Sequence, residues 1–277
     1  MKHFVFLTAL LVFLSNLPAN AAVLLDDTWA DGTRSNQNLP TDSAWFTTSA
    51  ANMKAFTGFL SVTNILNSSE WWTYFTPSGD PVTLQAGDTL TLTLTFIPVG
   101  VGAQNTSKDM RFGLFDSTGT RPPGDGSLPT ATYLGYAFFS NFGLTWGAND
   151  ELRKRSAFSQ NDPLNSSSDS TVLSTIANTS AAIAFSNNVP YTLTLSLTRS
   201  NDTTMAFTAT YSGGGLTNSG TMIDSSGIFT NFDMFEIRPS HANTTATNFI
   251  FTELRVDLIV AGTPPSINSQ PQDQAVF

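Results

Sequence analysis

A chain of 277 residues, with 12 Lys and Arg against 21 Asp and Glu for a net charge of −9, is long enough for one large domain or two ordinary ones. An acidic, Lys-poor surface repels phosphate backbones and argues against nucleic acid as a partner. Cysteine is absent and histidine occurs twice, which excludes disulfide stapling and the usual zinc sets, so stability must come from a core.

In chain order, residues 1–21 read as an export signal: Lys2 and His3 precede the apolar run Phe4 to Leu14, and Ala19-Asn20-Ala21 offers the small-x-small pattern of a signal peptidase site. Its removal leaves 256 residues (277 − 21) and a charge of −10, because Lys2 goes with it. No later apolar run is long enough to cross a bilayer, so no membrane span is expected after signal removal. The expected location is extracellular or at the cell surface. Export without cysteine leans towards a bacterial source, in which case the Asn-x-Ser/Thr triplets at Asn67, Asn105, Asn165, Asn178, Asn201 and Asn243 are chance features of an Asn-, Ser- and Thr-rich chain.

The first strand candidates are "AWFTTS" (44–49), "MKAFTGFL" (53–60) and the aromatic run in "SEWWTYFTP" (69–77). "DTLTLTLTF" (88–96) alternates without a break, placing Leu90, Leu92, Leu94 and Phe96 on one face and four threonines on the other; a period of two predicts a half-buried strand. "DMRFGLFDS" (109–117) and "TYLGYAFFS" (132–140) follow. The best helical stretch is "STVLSTIANTS" (170–180), where Val172, Leu173 and Ile176 form a short apolar stripe, and loop is the alternative. "AAIAFS" (181–186), "YTLTLSLTRS" (191–200) and "TMAFTATYSGGGLTNSGTM" (204–222) come next, the last read as strand, Gly213-Gly214-Gly215 turn and return strand. "FDMFEIRP" (232–239) and "NFIFTELRVDLIV" (248–260) complete the set. Turns are signalled at Pro77-Ser78-Gly79-Asp80, Ala86-Gly87-Asp88 and Pro122 to Gly126. A dozen strands and almost no helix predict an all-β domain of two antiparallel sheets, a jelly-roll sandwich, over residues 22–262.

The opening "LLDDTWADGTRSNQNLPTDSAWF", the central "MRFGLFDSTGTR" and the closing "TNFIFTELRVDLI" resemble secreted bacterial domains of the concanavalin A-like lectin and glucanase class. The resemblance implies paired first and last strands and a groove over one sheet. The tail "PPSINSQPQDQAVF" is similar to the first strand of bacterial immunoglobulin-like repeats. Residues 263–277 are accordingly expected to be a linker and a truncated first strand, with such repeats covalently attached in a longer modular exoprotein.

Sugar binding needs exposed rings and planar polar groups. On an extended "WWTYF", Trp71 and Phe75 lie on one face and Trp72 and Tyr74 on the other. Trp72 and Tyr74 are the candidate displayed pair, against burial of all four rings in a thick sandwich. Trp146, flanked by glycines, either borders a groove or caps the core. Arg111, Glu236 and Arg238 are candidate polar groove residues, and ordinary surface ion pairing is their alternative. Retaining glucanases of the resembling class use a Glu-x-Asp-x-x-Glu strand motif. "NFDMFE" (231–236) matches it at Asp233 and Glu236 but holds Asn231 at the nucleophile position, where an amide cannot form a glycosyl intermediate. His241 is the one histidine left after signal removal. With Arg238 and a tyrosine it would suit a lyase, but it sits in the polar stretch "PSHANTTATN". Asp26, Asp27 and Asp257 are candidate ligands of a structural calcium if the terminal strands pair. The expected function is a non-catalytic carbohydrate-binding or surface-recognition module directed at a polysaccharide or cell-surface glycan. A structural spacer or adhesin domain is the first alternative, and a glycoside hydrolase or polysaccharide lyase the second.

Overall fold

Alternating Leu and Thr build the centre of the molecule. The structure, a computed structural model, describes residues 20–64, 69–103, 108–178, 184–239 and 245–262. In chain order the strands are β1 (Asn20–Asp27), β2 (Trp45–Thr47), β3 (Met53–Phe56), β4 (Phe59–Thr63), β5 (Trp71–Tyr74), β6 (Val82–Thr83), β7 (Thr89–Val101), β8 (Met110–Asp116), β9 (Leu134–Ser140) and β10 (Asp150–Arg155). They continue as β11 (Ser170–Ile176), β12 (Tyr191–Asn201), β13 (Thr204–Gly213), β14 (Leu216–Asp224), β15 (Asn231–Phe232), β16 (Met234–Pro239) and β17 (Ala246–Val260).

Two antiparallel sheets hold nearly all of these strands. One runs β14-β13-β12-β7-β17-β4-β3, with β1 also paired to β17; the other runs β11-β10-β9-β8-β16-β5-β2. The sandwich expected from the alternation is thus present, and the first and last strands pair from Asn20↔Val260 to Asp27↔Leu254, with a register shift between Val23 and Leu25.

In the eight-stranded sheet the pattern works as a simple two-sided surface. Leu90, Leu92 and Leu94 of β7 stand opposite Leu197, Leu195 and Leu193 of β12, all of them fully buried. Each such side chain contributes roughly 1.5–3 kcal/mol relative to exposure. The hydroxyl residues of the same sheet face outward and pair across strands, as Thr89–Thr198 (2.9 Å) between β7 and β12 and Thr208–Thr221 (2.8 Å) and Thr210–Ser219 (2.7 Å) between β13 and β14. The Gly213-Gly214-Gly215 turn falls where expected, and all three glycines hold positive φ.

The seven-stranded sheet carries apolar side chains on both faces. Phe112 and Leu114 of β8, Tyr136 and Phe138 of β9, Phe235 and Ile237 of β16 and Trp71 of β5 face the sandwich interior. On the opposite face Phe115, Ala137, Phe139, Met234, Trp72 and Tyr74 form a second core with Leu128, Tyr133 and Leu164. These last three come from two loops, 117–133 and 156–169, laid over the sheet. A sheet covered on both sides reads as a continuous apolar run rather than an alternation, which is why "WWTYF" and "YAFF" show no period. Glycines fit the packing: the Phe115 ring lies where a Cβ on Gly113 would sit, 2.1 Å from Phe115 Cε2, and a Cβ on Gly135 would stand 2.1 Å from the Leu114 carbonyl oxygen.

Several expected elements change. "MKAFTGFL" is two strands, β3 and β4, joined at Thr57-Gly58 with Gly58 at φ 91°. The candidate helix 170–180 contributes strand β11, at the sheet edge with Val172 and Leu173 exposed; its Ser and Thr content and β-branched residues suit an edge strand better than a helix. Of "AAIAFS", residues 184–186 are not a strand; Phe185 instead stacks on Phe142 at 3.8 Å inside the core. Strand β10, "DELRKR", was not expected from its charged sequence. Residues 1–19 and 263–277, most of the expected signal and the whole tail, lie outside the described residues. No helix among the described residues is long and apolar enough to cross a membrane.

Candidate functional site

The alternation of β16 sends Met234, Glu236 and Arg238 to the outer face of the seven-stranded sheet. Its neighbour β8 brings Arg111 directly opposite Arg238, and on the other side β5 sets Trp72 opposite Glu236. Arg111, Glu236 and Arg238 therefore converge on one face, as the sequence pattern predicts. Strand β10 adds Glu151, Arg153 and Arg155 to it. The centre of this floor is closed to solvent: Glu236 is 0% exposed and Arg238 is 4% exposed, while Arg111 is partly exposed.

The loop 156–169 is what covers it, and four arginines of the sheet fasten that loop. Arg111 Nη1 donates to the carbonyls of Leu164 (2.5 Å) and Asn165 (2.6 Å). Arg153 Nη1 donates to the Ser167 carbonyl (2.9 Å), and Arg155 Nη2 to those of Gln160 (2.7 Å) and Ala131 (2.9 Å). Arg238 makes a buried ion pair with the loop, Nε to Asp162 Oδ2 at 2.8 Å, and its Nη2 donates to Asn165 Oδ1 at 2.8 Å; Arg155 stands 4.0 Å from Asp169 in a second. Arg111 and Arg153 also lie over the Phe139 ring, at 4.5 and 4.7 Å from its centroid. Burial, followed by the charge of Arg238, lowers the Arg111 guanidinium to about 10.

Three carboxyls meet beneath this clasp. Glu70, two residues before Trp72 on the same side of the chain, and Glu236 on β16 both face Asp162 of the loop. Burial first, and then the charge and hydrogen bonding of Asp162, push Glu70 up to about 9 and Glu236 well above the ordinary carboxylate range. Both oxygens of Glu236 and Oε2 of Glu70 are buried and receive no N–H or O–H hydrogen bond among the described residues. A buried carboxyl in that position is stable as an acid that donates to its neighbour. Above them opens a cavity of about 330 Å³ lined by Glu70, Ser127, Ser159, Gln160, Asn161, Asp162 and Asn165, with Leu128 at one side. Phe158, adjacent in the chain to Ser159, is 47% exposed.

The other candidates are dispersed. Trp72 and Tyr74, expected as the displayed pair, are buried at 0% and 3% exposure; all four rings of "WWTYF" sit in a core, Trp71 and Phe75 between the two sheets and Trp72 and Tyr74 under the covering loops. Trp146 packs into the main core in an edge contact with Phe185, the place the core-capping alternative gives it. Asp233 is engaged by the other covering loop: its Oδ2 accepts from Ser117 Oγ (2.5 Å) and Arg121 Nη2 (2.8 Å), while Asn231 bonds Thr83 at 2.8 Å. His241 lies outside the described residues. The three aspartates proposed for calcium do not form one site. Arg255 bridges Asp26 (2.6 Å) and Asp257 (2.8 Å), and Asp27, on the opposite side of β1, accepts from Trp29 N and Ser43. No group of three His, Cys, Asp or Glu side chains among the described residues is placed to hold a metal ion.

Sequence reasoning missed Glu70, Asp162 and the β10 charges. Glu70 carried a signal, since its separation from Trp72 puts it on the Glu236 face once the two strands pair. Asp162 sits in a loop, and nothing in its local sequence says where that loop lands.

No family model matches the chain, and no curated protein matches it. Among solved structures, the chain is similar to the exoplasmic/lumenal domain of VIP36 in its Ca2+/Man-bound form: TM-score 0.52, 9% identity, 89% of this chain and 94% of that one. It is also similar to peanut lectin with a nine-residue peptide, at TM-score 0.50 and 9% identity over 88% of this chain and 100% of the lectin. These likenesses show a shared fold, the lectin-type β-sandwich.

Proposed function

We propose that the chain is an exported, non-catalytic glycan-binding module of a larger exoprotein, and that it takes a sugar in the cavity over Glu70 and Asp162. The observation that carries this reading is the lining. Amides from Gln160, Asn161 and Asn165, hydroxyls from Ser127 and Ser159 and two carboxyls surround a space of about 330 Å³, within the range of small-ligand sites. Planar donors and acceptors of this kind match the hydroxyls of a pyranose. The fold supports the same choice, since the VIP36 domain it resembles is a mannose-bound form. Export and attachment to immunoglobulin-like repeats rest on the leader-like start and the Pro-rich tail. Calcium is no part of this reading.

Affinity electrophoresis of the chain through polysaccharide gels, with a glycan array alongside, tests it. The expected result is retardation by at least one polysaccharide, weakened at least about tenfold in Kd by Gln160→Ala with Asn161→Ala, two or three lost hydrogen bonds at ~1 kcal/mol each. Migration unaffected by every polysaccharide would leave the spacer or adhesin reading. A hydrolase is the second reading, favoured by one observation: Glu70 lines the cavity and keeps its proton up to about pH 9. Release of reducing ends or acyl groups, abolished by Glu70→Gln, would put it first.

A further inference from the structure

The stretch from Pro123 to Leu128 lines two cavities. Ser127 and Leu128 belong to the space over Glu70 and Asp162. Pro123, Gly124 and Asp125 belong to a second space of about 330 Å³, completed by Arg34, Ser35, Trp45 and Phe46. Gly126 alone separates the two linings in sequence, so Asp125 and Ser127 stand at most about 7 Å apart. The ridge between the cavities is fixed to the edge of the seven-stranded sheet. Thr47 of β2 donates its N–H to Asp125 Oδ1 (3.0 Å), and its carbonyl accepts from the Gly126 N–H (3.1 Å). Thr48, next along, donates its N–H to the Glu70 carbonyl (3.3 Å), and the Glu70 N–H donates to Thr48 Oγ1 (3.2 Å). Glu70 of the first cavity is thereby held against the same strand edge that bounds the second.

The second cavity supplies what the lining of the first lacks, an aromatic ring. Phe46 packs with Trp72 (centroids 6.0 Å apart, planes at 22°) and Tyr74 (6.1 Å), and of these three rings only Phe46 is partly exposed. Beside it Arg34 and Asp125 form a bidentate pair, Nη1 to Oδ1 at 3.0 Å and Nη2 to Oδ2 at 2.7 Å, and Nη1 also donates to the Trp45 carbonyl at 2.6 Å. Among the described residues Oδ2 accepts that one bond and Nε makes none. The two side chains are 21% and 27% exposed, so a planar donor and a planar acceptor remain for the hydroxyls of a ligand stacked on Phe46.

We propose that this second cavity is a further sugar site, and that the two cavities hold different units of one saccharide chain lying across residues 123–128. The inference rests on the glycan reading above and narrows it: the ligand is an extended polysaccharide gripped along its length, not a single terminal sugar. A lone sugar fills one cavity, and only a chain engages both. Once one unit is seated, the next binds from a high effective concentration, so affinity climbs with chain length until both sites are filled and then levels off. The wall they share is already ordered by the Thr47 and Thr48 bonds, which limits the cost of fixing it on binding.

Calorimetric titration of the full chain with an oligosaccharide ladder, from the disaccharide upward and cut from the polysaccharide that retards it most, tests this. The expected Kd falls at least about tenfold between the shortest member that binds and the plateau. Phe46→Leu, which keeps apolar bulk against Trp72 and removes the flat ring, should abolish that gain and leave the Kd of the shortest member unchanged. Gly124→Leu blocks the cavity without touching the core: a Cβ there meets nothing within 4 Å, and the backbone does not need a left-handed φ. It should abolish the gain in the same way. A wild-type affinity independent of chain length, or a gain that survives either variant, overturns the second site and leaves the glycan reading standing. Failure of every polysaccharide to retard the chain removes the glycan reading and the second site with it.

Discussion

Replacing Arg238 by Met should be among the most costly single changes on the outer face of the seven-stranded sheet. Met keeps the apolar stem but removes the charge and both donors, leaving Asp162 buried beside two further carboxyls. Arg238 and Asp162 side chains are each 5% exposed, and breaking a buried pair by removing one partner typically costs ~3–5 kcal/mol. The lost Arg238–Asn165 bond adds about 1 kcal/mol. At roughly 2–4 °C per kcal/mol for a domain of this size, the melting temperature should fall by about 8–24 °C. Arg255 provides the internal control. It also joins two aspartates, but its side chain is 35% exposed, so Arg255→Ala should cost about 1 kcal/mol or less. Urea unfolding at pH 6 measures both, and adding Asp162→Asn to Arg238→Met should recover much of the loss, because the stranded charge goes. Two outcomes would refute the reasoning: equal costs for the two arginines, or a double-mutant cycle showing no coupling between Arg238 and Asp162.

Two further changes probe the rest of the fold. Gly135→Ala should destabilise by ~2–3 kcal/mol, since its Cβ would meet the Leu114 carbonyl oxygen at 2.1 Å and the Phe115 ring at 2.6 Å, and the backbone oxygen cannot step aside without disturbing the β8–β9 ladder; chemical denaturation reads it, and a neutral result would mean the ring is not seated there. Leu92→Ala, at the centre of the sandwich between Leu195 and Val256, should cost ~2–5 kcal/mol, whereas the outward Thr93→Ala beside it should stay within about 1 kcal/mol.

The eight-stranded sheet was legible in the sequence because one of its faces meets solvent: Thr89 to Phe96 and Tyr191 to Ser200 spell out strand and face, while their pairing comes from the structure. The other sheet was legible only as a set of strands. Alternation set Arg111, Glu236 and Arg238 on one side, and they do meet there, but whether that side is wet depends on loops whose landing place is decided by tertiary contacts. The same blindness hid the fate of Trp72 and Tyr74. Strand β10 escaped notice because five of its six residues carry charge, a composition that suggests a surface segment; a hexapeptide that charged, in a chain only 12% charged overall, was the available sign of a buried polar layer. The calcium set contained its own refutation, since consecutive residues of a strand, Asp26 and Asp27, point to opposite sides.

Arg155 gives the covering layer a property that neither loop has alone. Its one Nη2 atom holds Ala131 and Gln160 together, so residues 117–133 and 156–169 are stitched edge to edge as well as pinned to the sheet below. Lifting either side tears that seam and withdraws support from the other. The aromatic floor of Trp72, Tyr74 and Phe139 is therefore roofed by a single panel, and it is uncovered all at once or not at all.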